Sequence, residues 1–326
     1  MELKIRPVQP TFAAELSNID LRRSPTNKQI TQLHTAMERY GVLVLPKQVV
    51  TDDEQIEFSR HLGELELAVG GTLQKDAEKR LRIELADASN LDINNKLFAK
   101  TDRNRMYNLG NRMWHSDSSF RPNPAKYSLL SARLLPSGGG NTEFADMRAA
   151  YDALDLTMKK LVNNLVCEHS LLHSRERIGF DDISQGERNI FGTARQPLVR
   201  EDLKTGRKSL FLSSHAGAIV GWEKPEALDL LRHLTEHATQ REFVYVHKWQ
   251  LNDLVIWDNR QSMHRVCRFN DTLEARDMRR TTIAGDGPLR LPGSHSTCNP
   301  APHITGPPGS TVNNSLPSEF PMKSTL

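Results

Sequence analysis

The chain has 326 residues, of which 37% are hydrophobic and 25% are charged, a composition typical of a globular protein with its own core. Its formal net charge of +3 is small, and the Lys and Arg residues form no stripe, which excludes a nucleic-acid-binding surface but suits a small anionic partner. The three cysteines show neither zinc-binding nor disulfide spacing. No apolar segment has the length of a membrane span and no signal peptide begins the chain, so we expect a cytoplasmic protein without a membrane partner. We also expect it to form a homo-oligomer.

The N-terminal part begins with a short strand, Leu3–Val8. Apolar residues at helical spacing then predict a helix over Pro25–Tyr40, with Gly41 at its end. The run Val42–Leu45 is continuously apolar and predicts a buried strand. These elements are expected to form scaffold.

A second helix is predicted by a capping box, in which Thr51 is the N-cap and Glu54 follows three positions later. The helix should continue through Leu62 and end at Gly63. From Glu66 to Asn108 the chain becomes polar and weakly periodic. Such a stretch is either a lid or substrate loop of an enzyme or a plain surface excursion, and both interpretations remain open.

The middle of the chain mixes strands, a glycine-rich turn and irregular segments. A strand is predicted over Tyr127–Leu135, followed by three glycines that permit a tight turn but lack the Lys-Ser/Thr of a phosphate loop. The remaining predicted elements are a helix over Ala149–Leu165, an irregular stretch over Asp181–Gly192, and short strands over Pro197–Arg200 and Lys208–Leu212.

Toward the C-terminus the pattern is clearer. Pro225–Thr239 is predicted to be an amphipathic helix. β-branched and aromatic residues predict two strands, Glu242–Trp249 and Leu254–Trp257, joined by a turn at Asn252–Asp253. Met278–Ala284 is predicted to be the last strand.

Short strands therefore dominate the region from about residue 115 to residue 284. We expect a mainly β fold with helical insertions, built on a double-stranded β-helix (a jelly-roll, cupin-like core) with the N-terminal helices packed outside. Residues 1–287 should form a single domain. Residues 288–326 are rich in Pro, Gly, Ser and Asn without periodicity, which predicts a disordered tail.

The segment Trp114–Phe120 carries the chemistry, because it contains a His-x-Asp pair, His115 and Asp117. One imidazole and one carboxylate leave a divalent metal undersaturated, so a third ligand is needed, and His264 is the candidate. Two histidines and one carboxylate around a metal with open positions are typical of non-haem Fe(II) oxygenases. The alternative is a surface histidine beside an Asp that caps a helix.

Longer motifs resemble a known family. The stretches that carry the resemblance are Trp114–Phe120, Gly139–Tyr151, His237–Tyr245 and Asp253–Arg260. Together they resemble the taurine/2,4-dichlorophenoxyacetate dioxygenase family, and most of all its 2,4-dichlorophenoxyacetate branch. The resemblance runs from about residue 5 to residue 287 and leaves only the tail outside.

This resemblance implies an enzyme that binds Fe(II) through His115, Asp117 and His264 and uses 2-oxoglutarate and O2, with no catalytic side chain beyond the metal centre. It implies that Arg276, assisted by Thr142, binds the distal carboxylate of 2-oxoglutarate. An arginine fork suits that carboxylate because it can bind both oxygens. Arg280 is the alternative for this role.

The resemblance also implies that Arg280 orients an anionic substrate group. If residues 276–282 form a strand, positions 276, 278 and 280 share one face, so both arginines can reach one site. Ser118, Arg200 and His215 resemble or lie near substrate-contacting positions of the family. We predict that Ser118, Arg200, His215 and Arg280 form the substrate-binding set.

The predicted reaction is hydroxylation of a small organic anion, coupled to conversion of 2-oxoglutarate to succinate and CO2. For an aryloxyacetate such as 2,4-dichlorophenoxyacetate, hydroxylation beside the ether oxygen gives a hemiacetal that collapses to a phenol and glyoxylate. This would place the protein in aryloxyalkanoate degradation. The same chemistry on taurine, another sulfonate or a sulfate ester is the first alternative, and a jelly-roll protein that binds metal without turnover is the second.

Overall fold

The structure, a computed structural model, describes residues 2–68 and 79–293, and of residues 189 and 190 only the backbone. Residues Met1–Gly293 form one compact unit. Within the described ranges, every helix is too short or too polar to traverse a lipid bilayer. Residues 294–326, most of the predicted tail, lie outside the described residues, so the disorder of the tail stays a prediction.

An eight-stranded sheet, here called the large sheet, organises the fold. Its strands, in order across the sheet, are β1 (Lys4–Pro7), β2 (Ala14–Ser17), β3 (Val42–Leu45), β14 (Leu254–Asp258), β6 (Tyr127–Leu134), β16 (Asp277–Ile283) and β4 (Leu65–Glu66), with β5 (Ala86–Asp87) also paired to β16. All its pairs are antiparallel except that of β2 with β3.

Three smaller sheets accompany the large sheet. They consist of β13 (Val244–His247), β7 (Thr142–Asp146) and β15 (Ser262–Val266); of β12 (Ala216–Ile219), β8 (Val166–Ser170) and β9 (Thr193–Pro197); and of β10 (Val199–Glu201) and β11 (Lys208–Leu210). In the first of these, β7 lies between β13 and β15. The expectation of a mainly β fold is therefore confirmed.

Eight α-helices are described. They are α1 (Asn27–Tyr40), α2 (Asp52–Arg60), α3 (Arg103–Asn108), α4 (Met147–Asp152), α5 (Leu156–Val162), α6 (Leu171–Glu176), α7 (Gln185–Ile190) and α8 (Lys224–Ala238). Both N-terminal helices begin with the capping box that the sequence offers, at Thr26 and Thr51. Gly41 ends α1 in the left-handed conformation, at φ +69°, which glycine adopts without strain.

The two faces of the large sheet have different partners. Alternate residues of a strand point to opposite faces. On one face, Leu129 and Ile256 pack against Met37 of α1 and Phe58 of α2 in one buried cluster, so both N-terminal helices lie on this face of the large sheet. On the other face, Trp257 packs against Phe144 of β7, with ring centroids 5.5 Å apart. The site described below lies at this second face.

Four expectations about elements are corrected. The strands β13 and β14 are not a hairpin, because β13 pairs with β7 and β14 pairs with β3 and β6. The helix expected over Ala149–Leu165 is two short helices, because Asp155 caps a new helix through the backbone N–H of Met158. The irregular stretch Asp181–Gly192 contains α7, which starts at a capping box. In addition, α2 ends at Arg60, before Gly63.

Candidate metal centre

The two predicted histidine ligands lie side by side because their backbones pair. The N–H of His115 donates to the carbonyl of His264 at 3.0 Å, and the N–H of His264 donates to the carbonyl of His115 at 2.8 Å. Residues that exchange both hydrogen bonds in an antiparallel pair present their side chains on the same face. The two imidazole centroids are accordingly 4.2 Å apart.

The carboxylate of Asp117 faces both imidazoles. Its Oδ1 lies 3.8 Å from Nε2 of His115, and its Oδ2 lies 3.7 Å from Nε2 of His264. The three residues are buried, and their ligand atoms lie within 4.8 Å of one another. Because the two contacts are too long for hydrogen bonds, the three groups converge on a common point without bonding to each other. Two imidazole nitrogens and a carboxylate oxygen arranged in this way fit a divalent transition metal.

The protonation of these groups suits a metal. Nδ1 of His115 lies 2.8 Å from the carbonyl of Met113, so in the neutral imidazole Nδ1 carries the proton and Nε2 keeps its lone pair. Burial lowers the pKa of His115 and takes that of His264 well below its ordinary value, which keeps both rings neutral. Burial opposes ionisation of Asp117, but the charge of Arg280 and the hydrogen bond from Ser128 hold its pKa at about 2.

A second layer of side chains fixes the Asp117 carboxylate. The hydroxyl of Ser128 donates to Oδ2 at 2.7 Å, and Arg280 donates to Oδ1 at 2.5 Å. The side-chain oxygen of Asn259 accepts from the backbone N–H of Asp117 at 3.1 Å and from the indole of Trp257 at 3.0 Å, while its amide donates to Ser128. Such outer partners orient metal ligands and tune their basicity.

One cavity, here called the first cavity, opens from the imidazole side of this centre. It is lined by His115, His264, Leu130, Thr142, Arg276 and Arg280, among others. Arg276 is 5% exposed, and its guanidinium donates only to two backbone carbonyls, those of Gly140 at 3.2 Å and Ala88 at 3.4 Å. Burial lowers its pKa to about 10, and no carboxylate among the described residues pairs with it. The first cavity thus contains a buried cation that lacks an anion.

Thr142 is held beside this cavity by an indole. Trp249 donates its Nε1–H to the hydroxyl oxygen of Thr142 at 3.0 Å. The imidazole of His247 lies edge-on against Trp249, with centroids 4.6 Å apart, and is bonded to Asp253 at 3.1 Å. Because the hydroxyl oxygen already accepts a hydrogen bond, its own proton is left to donate to a ligand.

A second cavity meets the first at the metal centre. It is lined by Asp117, Ser118, Phe120, Arg175, His215 and Arg280, among others, and His115 and Arg280 line both cavities. Ser118 has φ +53° and donates to Glu66 at 2.7 Å. Burial raises the pKa of this Glu66 carboxyl. The predicted Ser118 and Arg280 are therefore both brought to the second cavity.

His215 also lies at the second cavity. Its ring packs edge-on against Phe120 and His115, with centroids 5.0 Å and 6.1 Å away. Burial takes the pKa of His215 well below its ordinary value, and its Nδ1 has no partner among the described residues. It is a neutral imidazole that can hydrogen-bond a ligand.

Arg200 lies elsewhere. Its guanidinium is over the ring of Phe211, 5.2 Å from the centroid, and burial lowers its pKa to about 10. It does not appear among the described residues that line the two cavities. The structure thus does not bring it to the metal centre with the other predicted residues.

The polar stretch between Glu66 and Asn108 contributes to both cavities. Ser89 and Asn108 line the first as well as the second, and α3 forms part of the wall between them. Arg105 in this helix pairs with Asp271 at 3.0 Å, which ties the wall to the chain beyond β15. The described part of this stretch therefore lines both cavities, which a plain surface excursion would not do; residues 69–78 lie outside the described residues.

Three residues at the site were not singled out in the sequence. Asn259 and Trp249 orient Asp117 and Thr142, and Arg175 lines the second cavity. Asn259 sits inside one of the motifs that carry the resemblance, which was a usable signal. Trp249 and Arg175 stand in no motif, and only the fold shows where they point.

A buried set of two imidazoles and one carboxylate at the face of a β-sheet defines the class of non-haem metal oxygenases. A family comparison is more specific: residues 4–282 match the model described as "Taurine catabolism dioxygenase TauD, TfdA family". The chain belongs to this family.

Several relatives are similar over most of the chain. The alpha-ketoglutarate-dependent 2,4-dichlorophenoxyacetate dioxygenase of Cupriavidus pinatubonensis is 41% identical over 288 residues, which cover 88% of this chain and 99% of the relative. The (S)-phenoxypropionate/alpha-ketoglutarate-dioxygenase of Sphingobium herbicidovorans is 36% identical, covering 86% of this chain and 95% of the relative. The crystal structure of AAD-2 in complex with Mn(II) and N-oxalylglycine superposes with a TM-score of 0.86 at 51% identity, covering 89% of this chain and all of AAD-2.

These findings confirm the enzyme class predicted from the sequence, an oxidoreductase of the Fe(II)- and 2-oxoglutarate-dependent dioxygenases. The prediction that its partner is a small organic substrate is confirmed to the same extent.

Proposed function

We propose that this enzyme hydroxylates an aryloxyacetate such as 2,4-dichlorophenoxyacetate and releases a phenol and glyoxylate. The relative from Cupriavidus pinatubonensis supports this substrate, because its similarity extends over 99% of its own length. A relative named as a sulfate ester dioxygenase is more distant, at 26% identity, so a sulfonate or sulfate-ester substrate is the alternative with less support.

In this proposal Fe(II) is bound by His115, Asp117 and His264. Their convergence without mutual hydrogen bonds supports it, as does the fixed tautomer of His115. Fe(II), 2-oxoglutarate and O2 together would supply an oxidative decarboxylation in which one oxygen atom enters succinate and the other enters the substrate. The chain contributes three ligands and leaves the remaining positions open.

The distal carboxylate of 2-oxoglutarate is assigned to Arg276, with the hydroxyl of Thr142 as a second donor. The observation that carries this assignment is the buried guanidinium of Arg276, which has no carboxylate partner among the described residues and lines the same cavity as both histidines. A buried unpaired charge is costly, so a site of this kind is built for an anionic ligand. Arg280 is less suited to this role because Asp117 already pairs with it.

The substrate is assigned to the second cavity, where Ser118, His215 and Arg280 face the metal centre. Arg200 enters this set only if it moves, because its guanidinium stacks on Phe211. After hydroxylation, the carbon–oxygen bond to the aryl oxygen breaks, the hydroxyl proton passes to the phenolate oxygen, and the hydroxylated carbon becomes the aldehyde of glyoxylate. This collapse requires no group from the protein.

The sheet arrangement supports a double-stranded β-helix. We propose that the large sheet and the β13–β7–β15 sheet are its two halves, with the metal centre between them. We also propose that residues 1–287 are the catalytic domain. The cytoplasmic location and the homo-oligomeric state stay predictions, as does the lack of a nucleic-acid or membrane partner.

A substrate panel tests the proposed function. Purified enzyme with Fe(II) and 2-oxoglutarate is given phenoxyacetate, 2,4-dichlorophenoxyacetate, 2-phenoxypropionate, taurine and an alkyl sulfate, and succinate is measured for each. We expect the phenoxyacetates to give the highest rates, with phenol and glyoxylate formed in step with succinate. Faster turnover of taurine or the alkyl sulfate than of every aryloxy acid would overturn the substrate assignment and leave the metal and 2-oxoglutarate assignments in place.

A further inference from the structure

Arg175, near the end of α6, is a buried cation of the second cavity. It is 5% exposed and lines this cavity together with Asp117, Ser118 and His215. Arg175 therefore lies in the same cavity as Asp117 of the metal centre.

No carboxylate among the described residues pairs with Arg175. Its only side-chain hydrogen bond goes from Nη1 to the hydroxyl of Ser174 at 3.2 Å, and its Nε is buried without a partner among the described residues. The other arginines that line this cavity each pair with a carboxylate. These pairs are Arg80 with Asp87 and Asp277, Arg82 with Asp53 and Glu84, Arg103 with Asp182 and Glu187, and Arg280 with Asp117. Arg175 is the exception among the described arginines of the cavity.

The surroundings of Arg175 hold its guanidinium in place. The ring of Tyr107 lies beneath it, with the guanidinium carbon 4.1 Å from the ring centroid. Gly110 packs directly against it, because a Cβ at this position would come within 2.2 Å of Nη1. An arginine stacked on an aromatic ring is pre-organised, and it loses little further freedom when it binds an anion.

We infer that Arg175 is a further residue that binds the carboxylate of the substrate, in addition to the residues Ser118, His215 and Arg280 already assigned to this cavity. This inference deepens the proposed function and rests on its assignment of an anionic substrate to the second cavity. The ligand class is a small arene that bears one carboxylate. Its acid group meets the Arg175 fork, and its aryl part lies among the apolar residues of the same cavity, including Leu85, Phe120 and Leu171.

Binding measurements on the enzyme with Fe(II) and 2-oxoglutarate, without O2, test the inference. Phenoxyacetate and its neutral analogue phenoxyacetamide are titrated by calorimetry into the wild type and into Arg175→Gln, Arg175→Lys and Arg177→Gln. Arg177 is exposed and lies two positions further along, so its variant removes the same charge outside the cavity. Circular dichroism checks that each variant is folded, and 2-oxoglutarate affinity is measured in each.

We expect Arg175→Gln to weaken phenoxyacetate binding by about 30-fold or more, as is typical when one partner of a buried charge pair is removed. Phenoxyacetamide binding and 2-oxoglutarate affinity should change by no more than about 2-fold, and Arg177→Gln should resemble the wild type. Arg175→Lys should lie between, because lysine keeps the charge but not the fork. If Arg175→Gln does not fold, Arg175→Lys takes its place in the test. The quantity compared with the wild type is then the ratio of phenoxyacetate affinity to phenoxyacetamide affinity.

Two outcomes would overturn the inference. In the first, Arg175→Gln binds phenoxyacetate as tightly as Arg177→Gln does. In the second, Arg175→Gln loses phenoxyacetate and phenoxyacetamide binding equally, which would show a purely structural role. If the wild type prefers a different anion, the substrate in the proposed function is wrong. The same comparison is then made with that anion and its neutral analogue, and the role of Arg175 is judged by the same ratio.

Discussion

Arg276 immediately precedes β16 and Arg280 lies within it, four positions further along, yet their guanidinium groups have different electrostatic surroundings. Arg280 donates to the carboxylate of Asp117 at 2.5 Å, whereas the hydrogen bonds of the Arg276 guanidinium to described residues go to backbone carbonyls. Both line the first cavity. One arginine thus pairs with a carboxylate of the protein and the other does not among the described residues, although both positions fall on the same face of a strand.

Loss of any ligand should abolish turnover. In His115→Ala, Asp117→Ala and His264→Ala, we expect Fe(II) affinity to fall by roughly 100-fold or more, because each variant removes one of three converging donors. His233→Ala, which removes an exposed histidine of α8, is the control. Fe(II) titration and succinate formation are the measurements. Activity like that of the wild type in any of the three variants would remove that residue from the metal centre.

Arg276→Gln should act on the co-substrate alone. We expect its dissociation constant for 2-oxoglutarate to rise by about 30-fold or more with Fe(II) affinity unchanged, since the variant removes the unpaired cation of the first cavity. Anaerobic titration of 2-oxoglutarate into the Fe(II) enzyme measures this. Arg268→Gln, an exposed arginine of the nearby loop, should behave as the wild type. An unchanged dissociation constant in Arg276→Gln would place the carboxylate elsewhere, with Arg280 as the next candidate.

Trp249→Phe tests how Thr142 is oriented. The variant keeps an aromatic ring but loses the N–H that donates to the Thr142 hydroxyl at 3.0 Å. A hydrogen bond of this kind contributes about 1 kcal/mol, so 2-oxoglutarate binding should weaken roughly 5-fold. Trp222→Phe, at a partly buried tryptophan packed in a different cluster, is the matched control. Equal effects of the two substitutions would show that Trp249 acts through packing and not through Thr142.

The ion pair of Asp117 with Arg280 predicts a pH dependence of stability in the metal-free protein. The pKa of Asp117 is lowered from 3.8 to about 2 in the fold, so ionised Asp117 stabilises the fold above about pH 4, and this contribution is lost as the pH falls towards 2. Arg280→Gln should lower the free energy of unfolding at neutral pH by about 2 kcal/mol. Chemical unfolding from pH 2 to pH 7 measures the difference between the variant and the wild type. We expect the difference to shrink below pH 4, and a constant difference would contradict the assignment.

The sequence predicted the metal centre better than the surroundings of the substrate. His115, Asp117 and His264 came from a short motif and a distant histidine, and the structure brings all three together. No local pattern distinguishes Arg175 from the exposed Arg177, because the difference arises when Tyr107 of α3 and Gly110, just beyond this helix, pack against one of them. Arg200 shows the converse, since its place in a matching segment did not bring it to either cavity.

In the fold, too, the elements that depend on local preferences were predicted and the pairings that depend on distant residues were not. β-branched and aromatic residues predicted β13 and β14 as strands, because these preferences are local. Their assignment to different sheets depends on long-range partners, β7 for one and β3 and β6 for the other, which no neighbouring residue specifies. The break between α4 and α5 was in principle readable, since Asp155 is a good N-cap residue in a stretch that otherwise looks continuously helical.

The backbone pairing of His115 with His264 also has a consequence for folding. The strands β6 to β14 lie between these two residues in the chain, so forming the pair closes a long loop. The conformational entropy lost in closing this loop is offset only when the intervening strands have paired. The metal site should therefore be among the last parts of the chain to form. In refolding followed by stopped flow, Fe(II) uptake should lag behind the recovery of secondary structure, so that metal binding selects chains that have finished folding.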